Sequence, residues 1–141
     1  MNNILIDTCY WFALYDTSDG NHNKALDMIT YLELGKIIIP FPTLYETINT
    51  RFIKRGEWIK DFEKKLNHNN FYLIKDKEYQ DDALNLTFDT VIKQNRFLSL
   101  TDMVIRLMLN DINLKIDYLI TFDTGDFIDM CQRRRIELIN E

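Results

Sequence analysis

Two aspartates, Asp7 and Asp123, stand at the ends of apolar strands, and two further acids, Glu46 and Asp102, stand near helix starts; spacing alone does not show that the four converge. Asp7 directly follows the apolar run Ile4-Leu5-Ile6, and Asp123 follows Leu119-Ile120-Thr121-Phe122. In open α/β sheets, ligands bind just beyond the carboxyl ends of the strands. Acids delivered there from distant parts of a chain repel one another, so each either takes up a proton or finds a cation. At neutral pH a divalent metal is the more effective stabiliser, and the chemistry that follows is metal-dependent work on phosphate esters. Each acid also has a plainer reading. Asp7 caps a following helix, a role worth about 1 kcal/mol. Asp123 belongs to Asp-Thr-Gly-Asp, an ordinary turn. Asp102 lies three residues after Ser99, as in a capping box, with Arg106 one turn on as an ion-pair partner. Glu46 lies opposite an apolar stripe, on what would be a solvated helix face. No acid is specific alone; the conjunction is what informs.

The elements that must carry these acids are readable from apolar patterning. Ile4-Leu5-Ile6 and Ile37-Ile38-Ile39 are short, continuous and β-branched, as expected for strands covered on both faces. Phe71 to Ile74 and Tyr118 to Ile120 are similar, and Ile136 to Ile139 add a short last strand. Helical stripes lie between them. Ala25, Met28, Ile29 and Leu32 predict a helix that stops before Gly35. Leu44, Ile48 and Phe52 predict one that Pro42 opens and Gly56 closes. Trp58, Ile59, Phe62 and Leu66 mark another, and Leu84, Phe88, Val91 and Ile92 a further one. Met103 to Ile112 is apolar nearly all round, which predicts a buried central helix. Strands alternating with helices of this length make βαβ units, so the expected fold is α/β, a three-layer α/β/α sandwich with a mainly parallel central sheet. All four glycines and both prolines fall where the pattern breaks, and no repeat or linker divides the chain, so residues 1–141 read as a single domain.

Composition narrows the chemistry. A net charge of −5 gives no overall basic footprint, so a polyanionic substrate would need a local basic strip or a bound metal. Two basic clusters exist, Arg51/Lys54/Arg55 and Arg133-Arg134-Arg135. Either grips a nucleic-acid backbone or simply answers the dipole at a helix C-terminus. The two cysteines, Cys9 and Cys131, lack metal-ligand spacing and read as reduced thiols of an intracellular protein. His22 and His68 are isolated, which leaves histidine acid–base catalysis without support. Trp11, Phe12, Met103 and Met108 lie at helical spacing, as core or dimer contacts do. No Gly-rich phosphate loop, GxSxG elbow or HExxH is present. The N-terminus lacks a basic, then apolar, leader, and no run approaches the roughly 20 apolar residues of a membrane span. A soluble, cytoplasmic protein is the expectation.

Taken in order, several segments resemble the PIN domain, specifically the small VapC-type ribonuclease toxins. Ile4-Leu5-Ile6-Asp7-Thr8, Phe12-Ala13-Leu14-Tyr15-Asp16, Asp19-Gly20-Asn21-His22 and Ala25-Leu26 resemble that family's first motif and second helix. Pro42-Thr43-Leu44-Tyr45-Glu46 resembles its glutamate-bearing helix. Leu98-Ser99-Leu100-Thr101-Asp102 resembles the segment with its third acid, and Leu119-Ile120-Thr121-Phe122-Asp123, then Asp126-Phe127, the fourth. The resemblance spans almost the whole chain. Cys9 stands where the family more often has Ser or Asn. Two residues separate Asp123 from Asp126 where one is usual, so the fourth acid carries over to Asp123. The resemblance implies one or two Mg²⁺ or Mn²⁺ ions on Asp7, Glu46, Asp102 and Asp123. It implies hydrolysis of RNA without a covalent enzyme intermediate, a homodimer, and inhibition by a cognate antitoxin. His22 would be structural. Two other readings stay open: a phosphohydrolase using Asp7 as nucleophile, and a non-catalytic PIN-like module that binds RNA or protein.

Overall fold

β-Branched triplets set the centre of the molecule. The computed structural model describes residues 1–141 and runs β1 (Asn3–Ile6), α1 (Thr8–Tyr15), α2 (His22–Asp27), α3 (Ile29–Leu34), β2 (Lys36–Pro40), α4 (Phe41–Thr47), α5 (Thr50–Ile53), α6 (Gly56–Leu66) and β3 (Phe71–Ile74). It continues through a 3-10 turn (Lys77–Tyr79), α7 (Gln80–Gln94), α8 (Leu100–Asn110), β4 (Tyr118–Ile120), α9 (Thr124–Arg134) and β5 (Glu137–Ile139). The strands form one five-stranded sheet in the order β3-β2-β1-β4-β5, and every pairing is parallel. The three-layer α/β expectation is met.

Strand alternation divides the core in two. Ile4, Ile6, Ile37, Ile39 and Ile120 point to one face, against Trp11, Ala25, Phe52 and Phe62 from the first helices. Leu5, Ile38 and Leu119 point to the other, against Val104, Ile105, Met108 and Phe127 from α8 and α9. Each cluster holds 15 buried residues, so neither face of the central strands meets water. That equal cover is why their apolar runs are continuous rather than alternating. β3 departs from this: Tyr72 and Leu73 are exposed, because it is the sheet edge and its helical cover is thin.

The helices depart from their apolar stripes more than the strands do. The Ala25–Leu32 helix breaks at Met28 into α2 and α3. Gly35 does follow the last residue of α3, but in extended conformation (φ −99°). Its role is close approach, since a Cβ there would run into the δ-methyl of Ile4 and come within 3.0 Å of the Tyr31 carbonyl oxygen. The expected Pro42–Gly56 helix is two helices, interrupted where Asn49 accepts a hydrogen bond from the Phe52 N–H and caps α5. Thr43 and Thr47 face inward there, their hydroxyls donating to the Pro40 and Thr43 carbonyls, while Ile48 is exposed. Gly56 opens α6 instead of closing its predecessor. The stripe on α7 faces solvent: Leu84, Phe88 and Ile92 are exposed, and Ala83 and Thr90 are the buried positions. α8 is central and buried as expected, but ends before Ile112, which is exposed. No helix is long and apolar enough to cross a membrane.

Candidate metal centre

The sheet order changes direction at β1: the chain moves outward through β2 and β3, then returns to place β4 on the other side. The crevice at the carboxyl ends of β1 and β4 is therefore the topological switch point of the sheet, the usual ligand position in this architecture. Asp7 and Asp123 enter this crevice from the two adjoining strands. Register fixes the first, because Ile6 pairs with Ile120 and the Asp7 N–H donates to the Ile120 carbonyl at 3.0 Å.

Asp7 is held on both oxygens. Oδ1 accepts from the Thr8 N–H at 2.8 Å, the capping contact expected of it, and Oδ2 accepts from the Thr121 hydroxyl at 2.8 Å. The capping and cation-site readings thus describe the same side chain. The residue is only 4% exposed. Burial, followed by the charges of Asp102 and Asp123, pushes its pKa from 3.8 up to about 6, against the two hydrogen bonds that pull it down. Asp126 is raised too, first by burial and then by Asp102 and Asp123, with Arg96 and Arg106 opposing. These mutual effects bring Asp7, Asp102, Asp123 and Asp126 into one field.

Glu46 joins through its neighbour. Thr8 follows Asp7, and its hydroxyl donates to Glu46 Oε1 at 2.8 Å. Glu46 also borders a hollow of about 240 Å³ with Thr101 at the start of α8. Asp102 closes a capping box, accepting from the Ser99 N–H at 3.0 Å while its own N–H donates to the Ser99 hydroxyl. Arg106 does not pair with it. That guanidinium instead forks onto Asp129 at 2.7 and 3.0 Å and donates to the Asp126 carbonyl at 2.8 Å, and with Arg96 it holds Asp129 well below the ordinary carboxylate range. Asp123 caps α9 without a side-chain cap bond, and its backbone N–H donates to the Thr121 hydroxyl at 3.0 Å.

A divalent cation suits this set. Donor atoms of Asp7, Cys9 and Asp123 lie within 4.8 Å of one another, and none of the five ion pairs in the molecule includes Asp7, Glu46, Asp102 or Asp123. Hard cations prefer such carboxylate oxygens. The Cys9 sulfur accepts from the Phe122 N–H at 3.3 Å, and burial, then the Asp7 charge, raises its pKa. It therefore stays a neutral thiol, a weak donor for a hard ion.

Thr8 and Thr121 are the positioning residues that sequence reasoning overlooked. The signal was a hydroxyl residue beside each strand exit, Asp7-Thr8 and Ile120-Thr121. His22 is structural, its Nδ1 lying 2.7 Å from the Ala13 carbonyl. Of the basic clusters, Arg51 pairs with Asp16, Arg51 and Arg55 lie against the Trp58 ring, and Arg133 and Arg134 fill the last turn of α9. A separate hollow of about 510 Å³ lies away from the acids, beside Met1, Leu32, Lys64 and Phe71.

No protein-family model matches the chain, and no curated protein matches it in sequence. Among solved structures it is similar to VapC20 of Mycobacterium tuberculosis, a sarcin-ricin loop cleaving toxin, with a TM-score of 0.69 and 17% identity over 89% of this chain and 94% of that one. The chain therefore has the PIN-domain α/β/α fold seen in the VapC-type toxins, with Asp7 and Asp123 close together at its switch point and Glu46 and Asp102 outside that tight group.

Proposed function

We propose that this protein is a metal-dependent endoribonuclease that hydrolyses RNA phosphodiester bonds, the toxin of a type II toxin–antitoxin system. The observation that carries the reading is a buried Asp7 raised in pKa by burial and by Asp102 and Asp123, with no basic side chain paired to any of the three. A chain tolerates such an arrangement where a cation completes it. Asp7, Glu46, Asp102 and Asp123 hold Mg²⁺ or Mn²⁺ in this reading. Bound there, the ion supplies acidification of water and neutralises charge on the leaving oxygen. The chain's part is orientation: Thr8 and Thr121 fix Asp7, the Thr8 hydroxyl fixes Glu46, and Ser99 fixes Asp102. Glu46 and Asp123, exposed at the rim, orient water and substrate. The likeness to a toxin that cleaves the sarcin-ricin loop supports RNA as substrate, and with it a cytoplasmic setting and an antitoxin partner. The solvent-facing Leu84, Phe88 and Ile92 on α7 support a homodimer.

An Asp7 nucleophile is less well supported, since both its oxygens already accept hydrogen bonds. The test is cleavage of cellular RNA with Mg²⁺ or Mn²⁺, comparing wild type with Asp7→Asn and Asp102→Asn. Loss of cleavage in both variants and in EDTA is expected. Undiminished cleavage by both, or RNA binding without any cleavage by wild type, refutes the nuclease reading.

A further inference from the structure

We infer that Tyr45 is a stacking platform for an unpaired base of the substrate, and that Lys75 and Lys77 hold the phosphates of the same strand, so that single-stranded RNA leaves the acids along the edge where α4 meets the end of β3. The inference rests on the nuclease reading and adds to it a strand type, a direction and three contact residues.

Tyr45 precedes Glu46 on α4 and is 77% exposed, more than any other aromatic residue in the chain. Neither burial nor a hydrogen bond accounts for its presence there. Phe41, one turn earlier, meets it edge-on, with ring centroids 5.6 Å apart and planes at 70°. That contact steadies the ring and leaves it open to water. Tyr45 and Glu46 border the same hollow of about 240 Å³, so a base resting on this ring lies next to the acids. A second hollow, about 300 Å³, is bordered by Phe41, Lys75 and Lys77. Asp76 lines both and joins them into one track, its carboxylate accepting from the Gln80 amide at 3.2 Å.

Lys75 and Lys77 are exposed and belong to none of the five ion pairs, unlike Arg51, Arg96 and Arg106. Most lysines of the chain are likewise unpaired; Lys75 and Lys77 are set apart by their place, flanking Asp76 in the hollow that Phe41 borders. Proteins that bind single strands combine the same two devices: aromatic rings for bases and cations for the backbone. A duplex offers no unpaired base to the ring, which sets the expected preference.

The test uses the full chain carrying Asp102→Asn to prevent cleavage. Its probe is a fluorescein-labelled RNA of mixed sequence, free or annealed to its complement, followed by anisotropy. Tyr45→Ala is expected to weaken single-strand binding about tenfold, the worth of one base stacked on one ring, while leaving duplex binding unchanged; Tyr45→Phe restores it. Lys75→Ala with Lys77→Ala should reduce the slope of log affinity against log salt by about 1.4, at about 0.7 per phosphate of a single strand. Single-strand affinity unaffected by Tyr45→Ala and by the lysine changes overturns the inference. Wild-type cleavage in Mg²⁺, measured in parallel, separates the two readings. Cleavage retained with no Tyr45 effect removes only the track. A Tyr45 effect without cleavage removes only the nuclease.

Discussion

Replacing Asp7 with asparagine should make the metal-free protein more stable while abolishing its activity. Asp7 titrates near 6 in the folded chain instead of at 3.8, so folding must work against ionisation of a buried acid. Two pH units correspond to about 3 kcal/mol at neutral pH. Because the folded-state pKa is raised, the favourable contribution is complete below 3.8, is lost as pH rises through about 6, and is absent at neutrality. Asparagine removes the charge and keeps an oxygen for the Thr8 N–H. The Thr121 hydroxyl, which already accepts from the Asp123 N–H, pairs less well with an amide, at a cost of about 1 kcal/mol. The net gain is about 2 kcal/mol, or roughly 6–10 °C in melting temperature for a domain of this size. Thermal unfolding in EDTA across pH measures it. The gap between variant and wild type should shrink as pH falls below about 6 and reverse by 3.8, where only the poorer hydrogen bond of the amide, about 1 kcal/mol, remains. Added Mn²⁺ should invert the order, since a ligand at a hundred times its Kd stabilises only the protein that binds it, by about 2.7 kcal/mol. A variant less stable than wild type in EDTA at neutral pH, or a gap that persists unchanged into acid, refutes the electrostatic account.

Three further outcomes are expected. Thr121→Val removes a hydrogen bond that lowers the Asp7 pKa; the pH midpoint of metal-free stability should move upward, and Mn²⁺ binding by calorimetry should weaken. Gly35→Ala places a methyl against Ile4 and the Tyr31 carbonyl, and should cost about 1–3 kcal/mol in urea unfolding, the usual penalty for overpacking. Arg106→Ala leaves Asp129 and the Asp126 carbonyl to Arg96 alone, and should cost about 1 kcal/mol, with RNA cleavage falling because α9 loses a polar tie to α8.

The strands were legible because burial on both faces leaves an unambiguous mark: Ile4-Leu5-Ile6 and Ile37-Ile38-Ile39 admit little else. The positions of Asp7 and Asp123 after β1 and β4 were legible for a related reason, since a strand exit is a fixed place in an α/β sheet. Helix faces were not. Leu84, Phe88 and Ile92 form a sound helical stripe, but periodicity reveals a face without revealing what covers it. Thr43 and Thr47 are buried because their hydroxyls return to local carbonyls, which hydropathy cannot anticipate. The break before α5 was written in Asn49, a favoured cap residue, but the Leu44/Ile48/Phe52 spacing ran across it. Arg106 was assigned to the nearest acid in sequence, Asp102, although the chain brings Asp129 closer in space.

How firmly each acid is held follows from what holds it. Asp7 depends on the sheet itself: its N–H is bonded to Ile120, and its Oδ2 to Thr121, the residue after Ile120. A slip of one residue between β1 and β4 would exchange their two covered faces, pressing Leu5 and Ile6 into the wrong helix layers along with displacing the acid. The apolar contacts that fix register therefore also fix Asp7, and they offset the cost of burying its charge. Glu46 and Asp102 have lighter holds, a single threonine hydroxyl and a capping box, each removable at little cost to the core. Substitutions at Thr8 and Ser99 should thus reduce metal affinity at a stability cost of about 1 kcal/mol, that of a lost hydrogen bond or cap, whereas disturbance at Thr121 reaches the core as well. A buried carboxylate anchored by the core and joined by acids on adjustable arms can accept a cation without refolding around it.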